Sequence, residues 1–203
     1  MEANINGIFP TPVYISKLDR ELTPLELKFV NKNKKYFYKN VSNNTSKNTY
    51  ILNEGSFANI KKELELKVQD YFNKVISPAN KITPYITQSW LNYTETNQYH
   101  HMHNHSNSLI SGVFYINCDE KFDKIKFFKD KYSMIRPDIK QYNIWNSESW
   151  FFSVKTGDII LFPSSLNHMV ETKKGDNTRI SLAFNVFIKG KVGNSKNLTE
   201  LTI

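Results

Sequence analysis

The spacing of apolar residues changes character at about residue 80. Before it the pattern is helical. Thr23-Pro24-Leu25-Glu26 is a capping-box start with proline at the first helical position, and Leu25, Phe29, Val30 and Phe37 follow at roughly helical intervals. Asn40 to Asn48, rich in Ser, Thr and Asn, reads as a loop. Ser56 opens a second helix whose Phe57, Ile60, Leu64, Val68, Phe72 and Val75 repeat every three or four residues up to the stop at Ser77-Pro78. From about Pro84 the pattern shortens to β-branched and aromatic runs: Tyr85 to Tyr93, Leu109 to Ile116, Ile125 to Phe128, Trp150 to Val154, Asp158 to Phe162, Met169 to Thr172 and Arg179 to Ile188. Strands at this spacing, separated by turn-rich pieces such as Lys155-Thr156-Gly157, predict a β-sandwich or barrel with the helices padding its outside. No internal repeat interrupts this order, and the segment after Gly190 reads as a loose end. The expected organisation is one domain over residues 1–190, helical over 1–80 and β over 84–188, followed by a tail over 191–203.

Composition narrows the function classes. The 203 residues carry a net charge of +8, and of their 27 basic side chains only Arg20, Arg136 and Arg179 are arginines. The lysines are dispersed among Asn and Glu, so the charge reads as a solvated surface. A nucleic-acid face would call for more arginine, the bidentate reader of phosphate and guanine. A single cysteine, Cys118, excludes an intrachain disulfide framework and reads as a small buried apolar side chain. No export signal or membrane span is legible, so a cytoplasmic location without membrane attachment is expected.

Histidine is the informative residue. Four of the five fall in Tyr99-His100-His101-Met102-His103-Asn104-His105, and the fifth is His168. On an extended chain His103 and His105 point the same way, about 6.6 Å apart, which suits chelation of one metal ion. A close pair with one distant ligand, leaving coordination positions open, is the pattern of a catalytic metal site, although a histidine-rich tract also suits a solvated loop. Downstream, a turn near Gly175-Asp176 suggests a hairpin that would set Arg179 roughly 13 Å deeper than His168. That interval fits a small dicarboxylate held by metal at one end and guanidinium at the other. An arginine buried in a strand also needs an anionic partner.

The frame His103-x-His105, Ser108-x-x-Ser111-Gly112-Val113-Phe114-Tyr115, Gly157-Asp158-x-x-Leu161-Phe162-Pro163-x-x-x-x-His168 and Arg179-Ile180-Ser181-Leu182-x-Phe184-Asn185 resembles the Fe(II)- and 2-oxoglutarate-dependent oxygenase superfamily. More narrowly it resembles uncharacterised oxygenases of marine bacteria and phages related to prolyl hydroxylases, and Phe9-Pro10-Thr11-Pro12-Val13-Tyr14 resembles their opening. The resemblance implies a mainly β, jelly-roll or cupin-like fold, the double-stranded β-helix, with supporting N-terminal helices. It implies Fe(II) on His103, His105 and His168, 2-oxoglutarate held through its distal carboxylate by Arg179 with Ser181 and Tyr115 assisting, and O2 as co-reactant. The products would be succinate, CO2 and a hydroxylated substrate. Most of the superfamily has a carboxylate where His105 stands, and an all-imidazole set also suits zinc, nickel or copper.

Two other readings accompany this one: a three-histidine zinc hydrolase or hydratase, and a non-catalytic cupin-like metal- or ligand-binding module. Trp90, Asn92 and Tyr93 read as core residues, with Asn92 able to face the site. The connection Lys129 to Ser149, with Tyr132, Arg136, Tyr142 and Trp145, reads as part of a substrate lid. Substrate and oligomeric state have no signature. His101 and His103 have the same spacing as His103 and His105 and are the alternative ligand pair. Iron-binding titrations separate the two pairs: His105→Ala is expected to abolish iron binding and His101→Ala to retain it, and the reverse result assigns the other pair.

Overall fold

The computed structural model describes residues 2–130, 135 and 137–203. Among them β1 (Tyr14–Lys17) leads into α1 (Pro24–Asn33), followed by β2 (Phe37–Lys39), β3 (Asn44–Ser46) and α2 (Ala58–Val75). Then come β4 (Ile82–Thr94), β5 (His100–His103), β6 (Ile110–Asn117), β7 (Lys124–Phe128), β8 (Ser149–Ser153), β9 (Asp158–Pro163), β10 (His168–Val170), β11 (Arg179–Val192) and β12 (Leu201–Thr202). The strands form two antiparallel sheets. The larger runs β1-β9-β6-β11-β4-β3-β2 with β12 added to β11, and the smaller runs β5-β10-β7-β8. The fold is mainly β, a jelly roll, and no described helix is long and apolar enough to cross a membrane.

The period-2 geometry of a strand divides the larger sheet between two cores. Phe114, Ile159, Leu161, Ile180, Leu182 and Phe184 meet Ile60, Leu64, Val68 and Phe72 of α2 on the outer face. Tyr115, Ile160 and Phe162 point the other way and meet Ile125 and Phe127 of the smaller sheet. With both faces covered, β9 and β6 are buried almost throughout, which explains their nearly unbroken apolar sequences. Thr23 forms the capping box with Glu26. The Glu26 carboxylate also receives both terminal nitrogens of Arg20, at 2.7 Å each, while Arg20 Nε donates to Glu63 on α2. Arg20 is thus occupied in holding α1 to α2.

Three local expectations are corrected. α1 ends at Asn33, so Phe37 belongs to β2. The expected loop over Asn40 to Asn48 is instead largely a hairpin: β3 pairs with β2 and adds to β4 through Asn44 opposite Tyr93 and Thr45 opposite Asn92. The free backbone edge of β4 supplies these bonds, which leave no apolar trace in the sequence. The segment after Gly190 is not loose, since β11 runs on to Val192 and β12 returns to pair with Lys191 and Val192.

Gly112 marks a close approach within the larger sheet. A Cβ there would lie 2.1 Å from the Phe184 ring. Gly112→Ala is therefore expected to lower stability by about 3 kcal/mol through overpacking, as read by urea denaturation.

Candidate metal and cosubstrate site

β5 and β10 lie side by side with His168 directly opposite His103. The chain turns after His103, and the His105 amide donates to the Ser164 carbonyl at 2.9 Å, bringing the third imidazole beside the other two. Asn107 takes a left-handed backbone conformation as the turn ends, with φ of 54°. Beneath it the hydroxyls of Ser108, Ser111 and Ser164 form a chain, Ser164 to Ser108 at 2.7 Å and Ser111 to Ser164 at 2.9 Å. The serines of the motif thus brace the turn that carries His105.

The ligand nitrogens of His103, His105 and His168 all lie within 4.8 Å of one another. His103 Nδ1 lies 2.7 Å from the His101 carbonyl and His168 Nδ1 lies 3.0 Å from that of Leu166, so each Nδ1–H donates to backbone and each Nε2 is left as the free donor atom. Asn185 stands at a bulge in β11, and its buried Oδ1, which has no other partner, faces His105. Burial, reinforced by neighbouring imidazoles, holds His168 down to about 3 and His105 to about 4, and burial lowers His103 as well. All three are neutral at pH 7, the state that binds metal. The donor chemistry fits a divalent transition-metal ion with positions left for other ligands.

The same cavity is lined by Arg179, Ser181 and Tyr115. Ser181 lies opposite Tyr115 across the β11–β6 ladder, and Arg179 lies two residues before Ser181 on the same face of β11. The Tyr115 phenol is fully buried and its pKa is raised by desolvation, so it remains a hydrogen-bond donor. Arg179 Nη1 donates to Asp123 Oδ1 at 3.2 Å. The structure brings all the expected site residues together, but by another route. β10 and β11 belong to different sheets and do not form a hairpin. The 13 Å estimate drawn from that hairpin therefore lapses, because the connection over residues 171–178 crosses from one sheet to the other.

A second, open groove reaches His103 and His105 from outside, lined among others by Tyr38, Lys39, Trp90, His101 and Asn104. Its outer wall is the β2–β3 hairpin. None of the described residues between Lys129 and Ser149 lines either cavity, and the Trp145 ring lies against Gly7. β8, which ends that connection, is the edge strand farthest from β5. Tyr132 and Arg136 lie outside the described residues. Trp90 is a site residue as well as a packing one, stacked on His105 with ring centroids 5.7 Å apart. Asn92 does face the inner cavity, while Tyr93 is core and donates to the Val30 carbonyl. Sequence reasoning missed His100, which stacks on His103 at 4.4 Å and lines the inner cavity. It also missed Asp123 and Lys173 behind Arg179, whose spacing carries no motif.

Residues 88–185 match the family model described as "Putative 2OG-Fe(II) oxygenase". Solved structures of similar fold include HygX from Streptomyces hygroscopicus with nickel, 2-oxoglutarate and hygromycin B bound, 10% identical over 87% of this chain and 82% of that one, with a TM-score of 0.59. A Pseudomonas putida prolyl-4-hydroxylase is 9% identical over 86% and 92%, with a TM-score of 0.55. SnoN, an α-ketoglutarate-dependent epimerase from nogalamycin biosynthesis, is 8% identical over 87% and 78%, with a TM-score of 0.59. No curated protein matches the sequence.

The depressed histidines give metal-free protein a defined acid response. Below the ordinary histidine value of 6.5 the unfolded chain takes up protons that the folded His100 and His168, at about 3, and His105, at about 4, refuse. Stability is expected to be full above pH 7, to fall progressively from about pH 6.5 toward pH 4, and to fall less steeply in His100→Asn, as read by urea midpoints across that range.

Proposed function

We propose that this chain, whose residues 88–185 match the model of the 2OG-Fe(II) oxygenase family, is an Fe(II)- and 2-oxoglutarate-dependent dioxygenase of the hydroxylating type. His103, His105 and His168 would hold the metal, and residues 1–190 would act as one domain. The observation that carries this reading is the meeting, in one cavity, of three closely spaced imidazoles, two of them with Nδ1 bonded to backbone, and a buried arginine. Bound there, Fe(II) supplies the redox chemistry that couples oxidation of a substrate C–H bond to conversion of 2-oxoglutarate and O2 into succinate and CO2.

The protein's own part is positioning. The backbone carbonyls of His101 and Leu166 fix the tautomers of His103 and His168, and the serine chain holds His105 in register. Arg179 keeps one N–H on Asp123 and offers the rest of its fork to the distal carboxylate, with the Ser181 hydroxyl and Tyr115 phenol as further donors. The 3% exposure of Arg179 keeps water from competing for that carboxylate. Substrate would enter by the outer groove, past Trp90 and His101. The hydrolase reading, by contrast, leaves Arg179 without a task.

Anaerobic addition of Fe(II) and 2-oxoglutarate tests the assignment. A visible metal-to-ligand charge-transfer band is expected, abolished in His168→Ala and requiring about 100-fold more 2-oxoglutarate in Arg179→Ala, the loss of a charge-assisted hydrogen-bonded pair. A folded protein that binds iron without developing the band would refute the cosubstrate.

A further inference from the structure

Lys173 has a side chain with 0% exposure, deeper than almost any other charge in the chain, yet it lines neither cavity. Its place is fixed from several sides. Its backbone amide donates to the Gln98 carbonyl at 2.7 Å and its carbonyl accepts from Asn97 at 3.0 Å. Its ammonium donates to Asn177 Oδ1 at 2.8 Å and to the Lys174 carbonyl, and lies 3.8 Å from Asp123 Oδ1. Gly175, at a φ of 81°, folds the loop over the ammonium.

Asp123 is itself 1% exposed. Its Oδ2 accepts from the Asp119 amide at 2.8 Å and its Oδ1 faces both cations, Arg179 at 3.2 Å and Lys173 at 3.8 Å. One carboxylate therefore serves two buried cations. An isolated Arg–Asp pair would be neutral and would leave Arg179 little pull on an incoming anion. With Lys173 present the buried triad carries a formal charge of +1, and Arg179 is its only member that lines the cavity. Burying that surplus is costly unless an anion enters to balance it.

We propose that Lys173 is a positioning residue for cosubstrate recognition: by sharing Asp123 it keeps Arg179 from being neutralised and so sets the affinity of the cavity for a dianionic 2-oxo acid. This rests on the reading of Arg179 as the distal carboxylate clamp. It adds a residue that the ligand never touches, acting over the sheet-to-sheet connection.

The test compares two 2-oxo acids of equal length, 2-oxoglutarate and 2-oxovalerate, which has a methyl group where the former has its distal carboxylate. Binding of each is measured by calorimetry on Mn(II)-loaded protein without oxygen. In Lys173→Met the affinity for 2-oxoglutarate is expected to fall by about tenfold or more, the effect of removing one nearby buried charge, while that for 2-oxovalerate stays within about twofold. Adding Asp123→Asn to that variant restores the +1 charge and is expected to recover most of the loss, which repair of a merely structural defect would not do. Lys173→Gln gives the same comparison if the methionine variant folds poorly. Equal losses for both acids, no loss for 2-oxoglutarate, or no recovery in the double variant overturns the role of Lys173. Wild-type protein that binds the two acids equally overturns the Arg179 clamp instead.

Discussion

The site depends on one cross-strand register, His168 opposite His103 on β10 and β5. That pairing joins the distant histidine to the cluster, and His105 follows because its amide is bonded to Ser164, a few residues before His168. A slip of one residue would turn His168 out of the site and present Met169 in its place. The register is held from β10's other edge too, where His168 lies opposite Phe127 of β7. Phe127 and Phe162 pack edge to face at 4.9 Å, and both rings stand within 6.2 Å of the His168 ring. The aromatic core between the sheets therefore fixes the place of His168 beside His103.

Much of this was legible because its causes are local. β-branched and aromatic runs give the strands from β4 to β11 within a few residues except β5, whose histidines carry no apolar signal, and Thr23 with Glu26 announces α1 through a motif four residues long. Scarcity did the rest at the site: five histidines and three arginines leave few combinations to consider. What escaped was decided by partners far away in sequence. The β2–β3 hairpin exists because β4 has an edge to satisfy, and β12 exists because β11 extends beyond its other neighbours. The connection between His168 and Arg179 looks like a hairpin from its Gly175 turn. It crosses between sheets because Lys173 is anchored to Asn97 and Gln98 and its ammonium is drawn toward Asp123.

Charge is arranged unevenly in the molecule. Most lysines are solvated, and the ion pairs at the surface, such as Lys74 with Asp70 one helical turn away, contribute little to stability. The arginines behave differently. Arg20 satisfies Glu26 and Glu63 and works only as a structural clamp. Arg179 shares its carboxylate, faces a cavity and is flanked by histidines that burial keeps neutral. The half-buried Arg20 and the buried Arg179 thus differ in the count of acceptors around each, which leaves only Arg179 with capacity to spare.

The candidate metal ligands His103, His105 and His168 lie on the smaller sheet or the turn leaving it, whereas Arg179, Ser181 and Tyr115 belong to the larger one. The distance between these two sets of residues is therefore set by the thickness of the sandwich itself, for which stacked sheets typically stand about 10 Å apart. The fold serves as a length gauge. Core side chains that line neither cavity, Val154 and Ile160 among them, act as its spacers, so that a volume change there would alter the distance between the two sets of residues. The spacing of the two residue sets and the thickness of the hydrophobic layer are then one property, and neither can drift without the other.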